Sequence, residues 1–139
     1  VLLRFYIPGF LLNRMQAALV REAIHLVESG VASADAVDAV IRDGLGLRWA
    51  LLGPFGVANT NADGGVREYF GRYGGSYREL MSDLGSTPSF DRDQIERLGS
   101  ATDAMTKAPP DEVLEWRDRL IRKIRDLKQE DPMPQGGSP

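Results

Sequence analysis

Apolar residues at Leu12, Met15, Leu19, Ala23, Leu26 and Val27 recur in steps of three and four, which predicts an amphipathic helix starting just after Pro8 and Gly9. Gly30 marks its end. Ser33, a good N-cap, opens a short second helix with Asp35 in its first turn and Val37, Val40, Ile41 and Leu45 on its buried side. Gly44 closes it, giving an αα-hairpin. The apolar run over residues 45–55 holds Gly46, Gly53 and Pro54, which predicts special backbone angles or a close approach. Pro54 suits the first turn of a further helix.

A fourth helical pattern runs over residues 66–84 through Tyr69, Phe70, Tyr73, Tyr77, Leu80 and Met81, with an interruption expected at Gly74-Gly75. Aromatics at helical spacing read as packing. Asp91 caps a helix through Ile95, Leu98 and Met105, with Lys107 near its end. After Pro109-Pro110, residues 111–129 form a strongly amphipathic helix whose interleaved Arg, Lys, Asp and Glu read as a solvated, salt-bridged face. The expected organisation is all-α. Residues 1–7 are an extended segment left over from a preceding domain, 8–130 a helical domain and 131–139 a flexible tail.

Composition narrows the function. One domain with a modest core suits 139 residues, and the net charge of -3 argues against general nucleic-acid binding. The absence of cysteine excludes disulfides and thiolate chemistry. His25 is the single histidine, mid-helix between Ile24 and Leu26, where packing is its expected role. No apolar run is long enough to cross a bilayer and no signal-peptide pattern opens the chain, so a cytoplasmic location is expected.

Two polar groups stand out. Asn13, with Arg14, lies in the first turn of the first helix, where its amide is either a local cap or a donor to a ligand oxygen. Arg48 is alone in the apolar run over residues 45–55, so it is half of a structural ion pair, a side chain reaching solvent, or a cation waiting for an anion. No G-x-G-x-x-G fingerprint, P-loop, G-x-S-x-G elbow or H-E-x-x-H motif is present, and spacing alone assembles no catalytic set.

The ordered motifs carry more. Pro8-Gly9-Phe10-Leu11-Leu12-Asn13-Arg14-Met15-Gln16, then Glu22-Ala23, then Leu26-Val27-Glu28-Ser29-Gly30-Val31-Ala32, resemble the opening of the C-terminal domain of the 3-hydroxyacyl-CoA dehydrogenase family. Asp38-Ala39-Val40-Ile41 and Gly44-Leu45-Gly46-Leu47-Arg48-Trp49-Ala50-Leu51-Leu52-Gly53-Pro54-Phe55 continue the match in order. The Leu47-Arg48-Trp49-Ala50 variant is most similar to the lambda-crystallin branch, whose members act as L-gulonate 3-dehydrogenases; L-carnitine dehydrogenases look similar there. Phe5-Tyr6, where the family is more polar, departs from the pattern.

The resemblance implies a helical bundle like the C-terminal domain of 6-phosphogluconate dehydrogenase. It also implies a preceding Rossmann domain that binds NAD and carries the catalytic Ser, His and Glu. This part would dimerise and close on a small 3-hydroxy acid. Asn13 falls on the family's active-site Asn and would orient substrate and catalytic groups. Arg48 falls on the branch's arginine and would pair with the substrate carboxylate. No cofactor, metal, nucleic-acid or membrane contact is expected of this chain by itself. The rival expectation is a free-standing helical dimerisation or binding module without catalysis.

Overall fold

Gly9, at φ 76°, opens the first helix, α1 (Phe10–Glu28), and the chain enters it by a left-handed turn that an L side chain at Gly9 would strain. At its other end the Gly30 N–H donates to the Val27 carbonyl (3.1 Å) and the Val31 N–H to that of Leu26 (3.0 Å). That pairing is a Schellman closure, and it satisfies two carbonyls the helix leaves open. The structure, a computed structural model, describes residues 3–103, 105 and 108–134.

Ser33 caps α2 (Ala34–Ala39) as expected, its hydroxyl accepting from the Ala36 N–H at 3.2 Å. Gly44 does not close the hairpin. The chain runs on through a π-helical turn (Val40–Leu45) directly into α3 (Gly46–Thr60). The wider π turn is out of step with the 3.6-residue period on which the buried side was predicted. Val37 and Leu45 are half-buried, whereas Val40 is 67% exposed and Ile41 is exposed too. Within α3 the special angle falls on Gly53 (φ 70°, ψ 174°), so Pro54 does start a new helical stretch across a kink.

The interruption expected at Gly74-Gly75 is absent, and α4 (Gly65–Asp83) passes through both. Glycine weakens a helix without breaking its hydrogen bonds, and the rings of Tyr69, Phe70, Tyr73 and Tyr77 pack edge-to-face or tilted across that turn. Asp91 caps α5 (Arg92–Thr102) through the Gln94 N–H at 2.8 Å. The helix ends before Met105, whose N–H bonds Thr102 in a turn, and Lys107 lies outside the described residues. Pro110 occupies the first turn of α6 (Pro110–Glu130), where no N–H is needed. Its charged face holds one ion pair among the described residues, between the neighbours Arg117 and Asp118. It is therefore a solvated face and much less bridged than predicted. Isolated surface pairs gain little. Residues 3–7 form no strand, and of the predicted tail 135–139 lie outside the described residues.

The helices pack apolar side chains in two places, and Lys128 Nζ of α6 donates to the Ala50 carbonyl of α3 at 2.6 Å. α1, α2 and α5 converge on Ile24 around a gap of about 150 Å³ lined by Val20, Ala23, Val27, Val37 and Leu98. α3 packs on α4, with Ala58 buried. Ile24 and Ala58 are the only buried apolar residues among those described, so the single core expected from length is two small ones. The chain exposes 11718 Å², against about 7,100 Å² for a compact monomer of this length. Much of the difference is apolar: Phe55 is 75% and Leu51 65% exposed.

Candidate functional site

α1 and the segment over residues 87–90 form the two walls of an open groove of about 930 Å³. Asn13 and Arg14 line it from the helix, together with Met15, Val20 and Arg21; Thr87, Pro88 and Phe90 line it from the other wall. Asn13 is not the cap. That position belongs to Gly9, with no side-chain hydrogen bond, and Asn13 stands one turn further in. Asn13 thus lines a groove that holds two cations and no carboxylate among its lining residues. The Nε of Arg21 is buried there without a hydrogen-bond partner among the described residues. An orphaned buried donor costs about 1–3 kcal/mol. Arg21 was not singled out in the sequence, although its seven-residue spacing from Arg14 places both on one helical face.

The second wall is held by polar contacts that no sequence motif announced. Glu22 accepts from the Gly85 N–H at 2.8 Å. Glu28, at the end of α1, accepts from Arg97 (Nη2 at 2.7 Å, Nε at 3.0 Å) and from Gln94 Nε2 at 2.6 Å. The hydrogen bond from Arg97 holds the Glu28 carboxyl below its usual range, with Gln94 contributing. Gln94 is buried, and its own carbonyl takes the Phe90 N–H at 2.8 Å. His25 is exposed as a residue, yet one side of it packs on the Gly85 backbone.

Arg48 stands elsewhere, in the first turn of α3, exposed and not lining the groove. No carboxylate lies within ion-pair distance of it among the described residues, so the structural ion pair is not found. Its neighbour is Tyr69 of α4. The hydrogen bond between the Tyr69 and Tyr77 hydroxyls (2.9 Å) raises the Tyr69 phenol above its ordinary value, and the Arg48 charge partly offsets this. Asn13 and Arg48 are therefore not brought into one pocket within this chain.

Among the described residues no cluster of His, Asp and Glu could hold a metal, and no helix is long and apolar enough to cross a membrane. No glycine-rich turn from strand to helix is present among them either, so these residues do not fit a dinucleotide pyrophosphate.

A family model described as 3-hydroxyacyl-CoA dehydrogenase, C-terminal domain, matches residues 9–99. Lambda-crystallin of Oryctolagus cuniculus is 35% identical over 127 residues, covering 89% of this chain and 40% of that protein. L-carnitine dehydrogenase of Streptomyces coelicolor is 36% identical over 98 residues, 70% of this chain and 30% of the enzyme. A 3-hydroxyacyl-CoA dehydrogenase of Gibberella moniliformis is 34% identical over 137 residues, 93% and 42%. The chain spans about two fifths of the length of the curated relatives it matches most fully. With the ordered motifs from Pro8 to Phe55 inside the matched region, the chain belongs to the 3-hydroxyacyl-CoA dehydrogenase family, whose C-terminal domain it carries.

Proposed function

We propose that this chain is the substrate-binding and dimerisation domain of an NAD-dependent dehydrogenase that oxidises a small 3-hydroxy carboxylic acid, of the size of gulonate or carnitine. The observation that carries this reading is Arg48. It is an exposed guanidinium in an apolar run, without a carboxylate partner among the described residues. A planar fork of N–H donors matches a carboxylate bidentately and has no counterpart need in a CoA thioester carbonyl. The likeness to lambda-crystallin and to an L-carnitine dehydrogenase supports the same choice.

On this reading NAD belongs to a preceding Rossmann domain, to which residues 1–7 are the connection, and supplies the hydride acceptor there. Asn13 works at the domain boundary, where its neutral amide orients the substrate and the catalytic groups of the other domain. Asn13 and Arg48 then meet one substrate only in the assembled enzyme, since they occupy separate surfaces of this chain.

Dimerisation accounts for the exposed surface. The excess over a compact monomer is about 4,600 Å², enough for an obligate interface with area left for a second domain. Light scattering of the chain is expected to give a dimer mass, and a monomer mass across a wide concentration range would count against this part. For the substrate, the intact enzyme is expected to show a higher kcat/KM for free 3-hydroxy acids than for their CoA thioesters. The reverse order would refute the carboxylate reading.

A further inference from the structure

We propose that the Tyr69 hydroxyl is a second donor to the substrate carboxylate that Arg48 receives, held in position by Tyr77, so that the pair of tyrosines selects a free acid over its neutral amide. This rests on the Arg48 reading and extends it to residues of a different helix.

α3 packs on α4, which brings the first turn of one beside the early turns of the other. Arg48 and Tyr69 stand in those turns, and the Arg48 charge acts on the Tyr69 phenol. The tyrosine pair has a hydrogen to spare. The Tyr69 and Tyr77 hydroxyls are 2.9 Å apart, and either can donate. One bond uses one of their hydrogens, and among the described residues neither hydroxyl has another partner. Arg48 forms no ion pair among them either, and Glu68, the acid beside Tyr69 in the chain, is already engaged by Arg72. A phenolic O–H and a guanidinium fork are therefore neighbours, with no carboxylate of the described residues bound to either.

The surroundings suit a charge-assisted hydrogen bond. Tyr69 is half-buried, with the ring centroids of Phe70 and Tyr73 at 5.2 and 5.1 Å from its own. Such walls lower the local dielectric, which strengthens a bond to an anion, and they fix the direction of the phenol. A hydroxyl hydrogen rotates to suit its acceptor. With a carboxylate on Arg48, Tyr77 donates to Tyr69 and Tyr69 donates to the carboxylate. The carboxylate only accepts, so the fork and the phenol are both satisfied by its two oxygens. A carboxamide replaces one oxygen by an NH2 group, which meets these donors with further donors.

The test is steady-state kinetics of the intact enzyme with the 3-hydroxy acid and with its carboxamide. The variants are Tyr69→Phe, Tyr77→Phe, Arg48→Met and the double variant Arg48→Met/Tyr69→Phe. Tyr69→Phe keeps the ring and removes the O–H. It should lower kcat/KM for the acid roughly ten- to a hundredfold, as expected for a hydrogen bond to a charged group, and the acid-to-amide ratio should fall with it. Tyr77→Phe should lower the same ratio by less. Added to Arg48→Met, the Tyr69→Phe change should cost at least about threefold less than it does in the parent, because both side chains act on one carboxylate. A purely structural tyrosine would instead reduce acid and amide alike. A parental acid-to-amide ratio in Tyr69→Phe, with a loss in Arg48→Met, overturns the proposal and leaves the Arg48 reading standing. No loss in either single variant overturns both. A loss in Tyr69→Phe with normal kinetics in Arg48→Met removes the Arg48 anchor and with it the shared carboxylate proposed here. If Tyr69→Phe fails to fold by circular dichroism, the ratio in Tyr77→Phe decides, and a parental value overturns the proposal.

Discussion

The Gly85 backbone lies so close to His25 that a side chain at residue 85 would overlap the Cβ of His25. The same Gly85 donates its N–H to Glu22 at 2.8 Å, and it is buried. One residue thus fixes the start of the segment that walls the groove against α1. Only glycine allows that approach, because the clash is with the base of the histidine and not with a movable tip. Gly85→Ala is expected to destabilise the chain by about 1–3 kcal/mol, with the melting temperature falling by several degrees. Glu22→Gln should cost less, since the amide oxygen can still accept. A Gly85→Ala melting curve matching the parent's would show that the wall is not held there.

Stability should fall in acid through Glu28 and Asp91. Hydrogen bonds from Arg97 and then Gln94 lower Glu28 from 4.5, and the Ser89 hydroxyl followed by the Gln94 N–H lowers Asp91 from 3.8. The unfolded chain therefore binds protons at these groups before the folded chain does. Their contribution is present above about pH 4.5 and is lost as pH falls through the lowered folded values. Glu28→Gln should be the less stable protein at neutral pH, and the gap to the parent should close as pH falls below about 4.5. A gap that stays constant over that range in thermal melts would rule this out.

Gly74 and Gly75 offer a gain. Both are helical, and an added Cβ would meet nothing within 4 Å at either position. Replacing both by alanine should stabilise α4 by about 1–2 kcal/mol, because each glycine costs roughly 0.5–1 kcal/mol relative to alanine in a helix. Chemical denaturation of the double variant measures it. An unchanged or lower midpoint would contradict this.

Local signals carried much of the fold. Ser33 and Asp91 cap as their side chains allow, Pro54 and Pro110 start helical stretches, and the period of three and four from Leu12 to Val27 lies on α1. The differences arise where distant contacts or an unusual turn decide. Gly44 is absorbed by a π turn that no pattern announces, and Gly74-Gly75 are carried by aromatic packing across the helix. The groove depends on Glu22 meeting Gly85 and Glu28 meeting Arg97, pairs more than sixty residues apart whose types are ordinary for any surface. Arg48 was visible as an odd cation, but its lack of a partner could be seen only in three dimensions.

The account rests most heavily on Arg48 as the anchor of a substrate carboxylate, and one preparation of the intact enzyme carrying Arg48→Met tests it. Loss of a desolvated carboxylate contact should cost about 2–4 kcal/mol, or roughly thirty- to a thousandfold in kcat/KM for the 3-hydroxy acid. NAD affinity should be nearly unchanged, since the cofactor is assigned to the other domain. The melting temperature should also hold, because Arg48 forms no ion pair among the described residues. A normal KM and kcat for the acid in that variant would contradict the account.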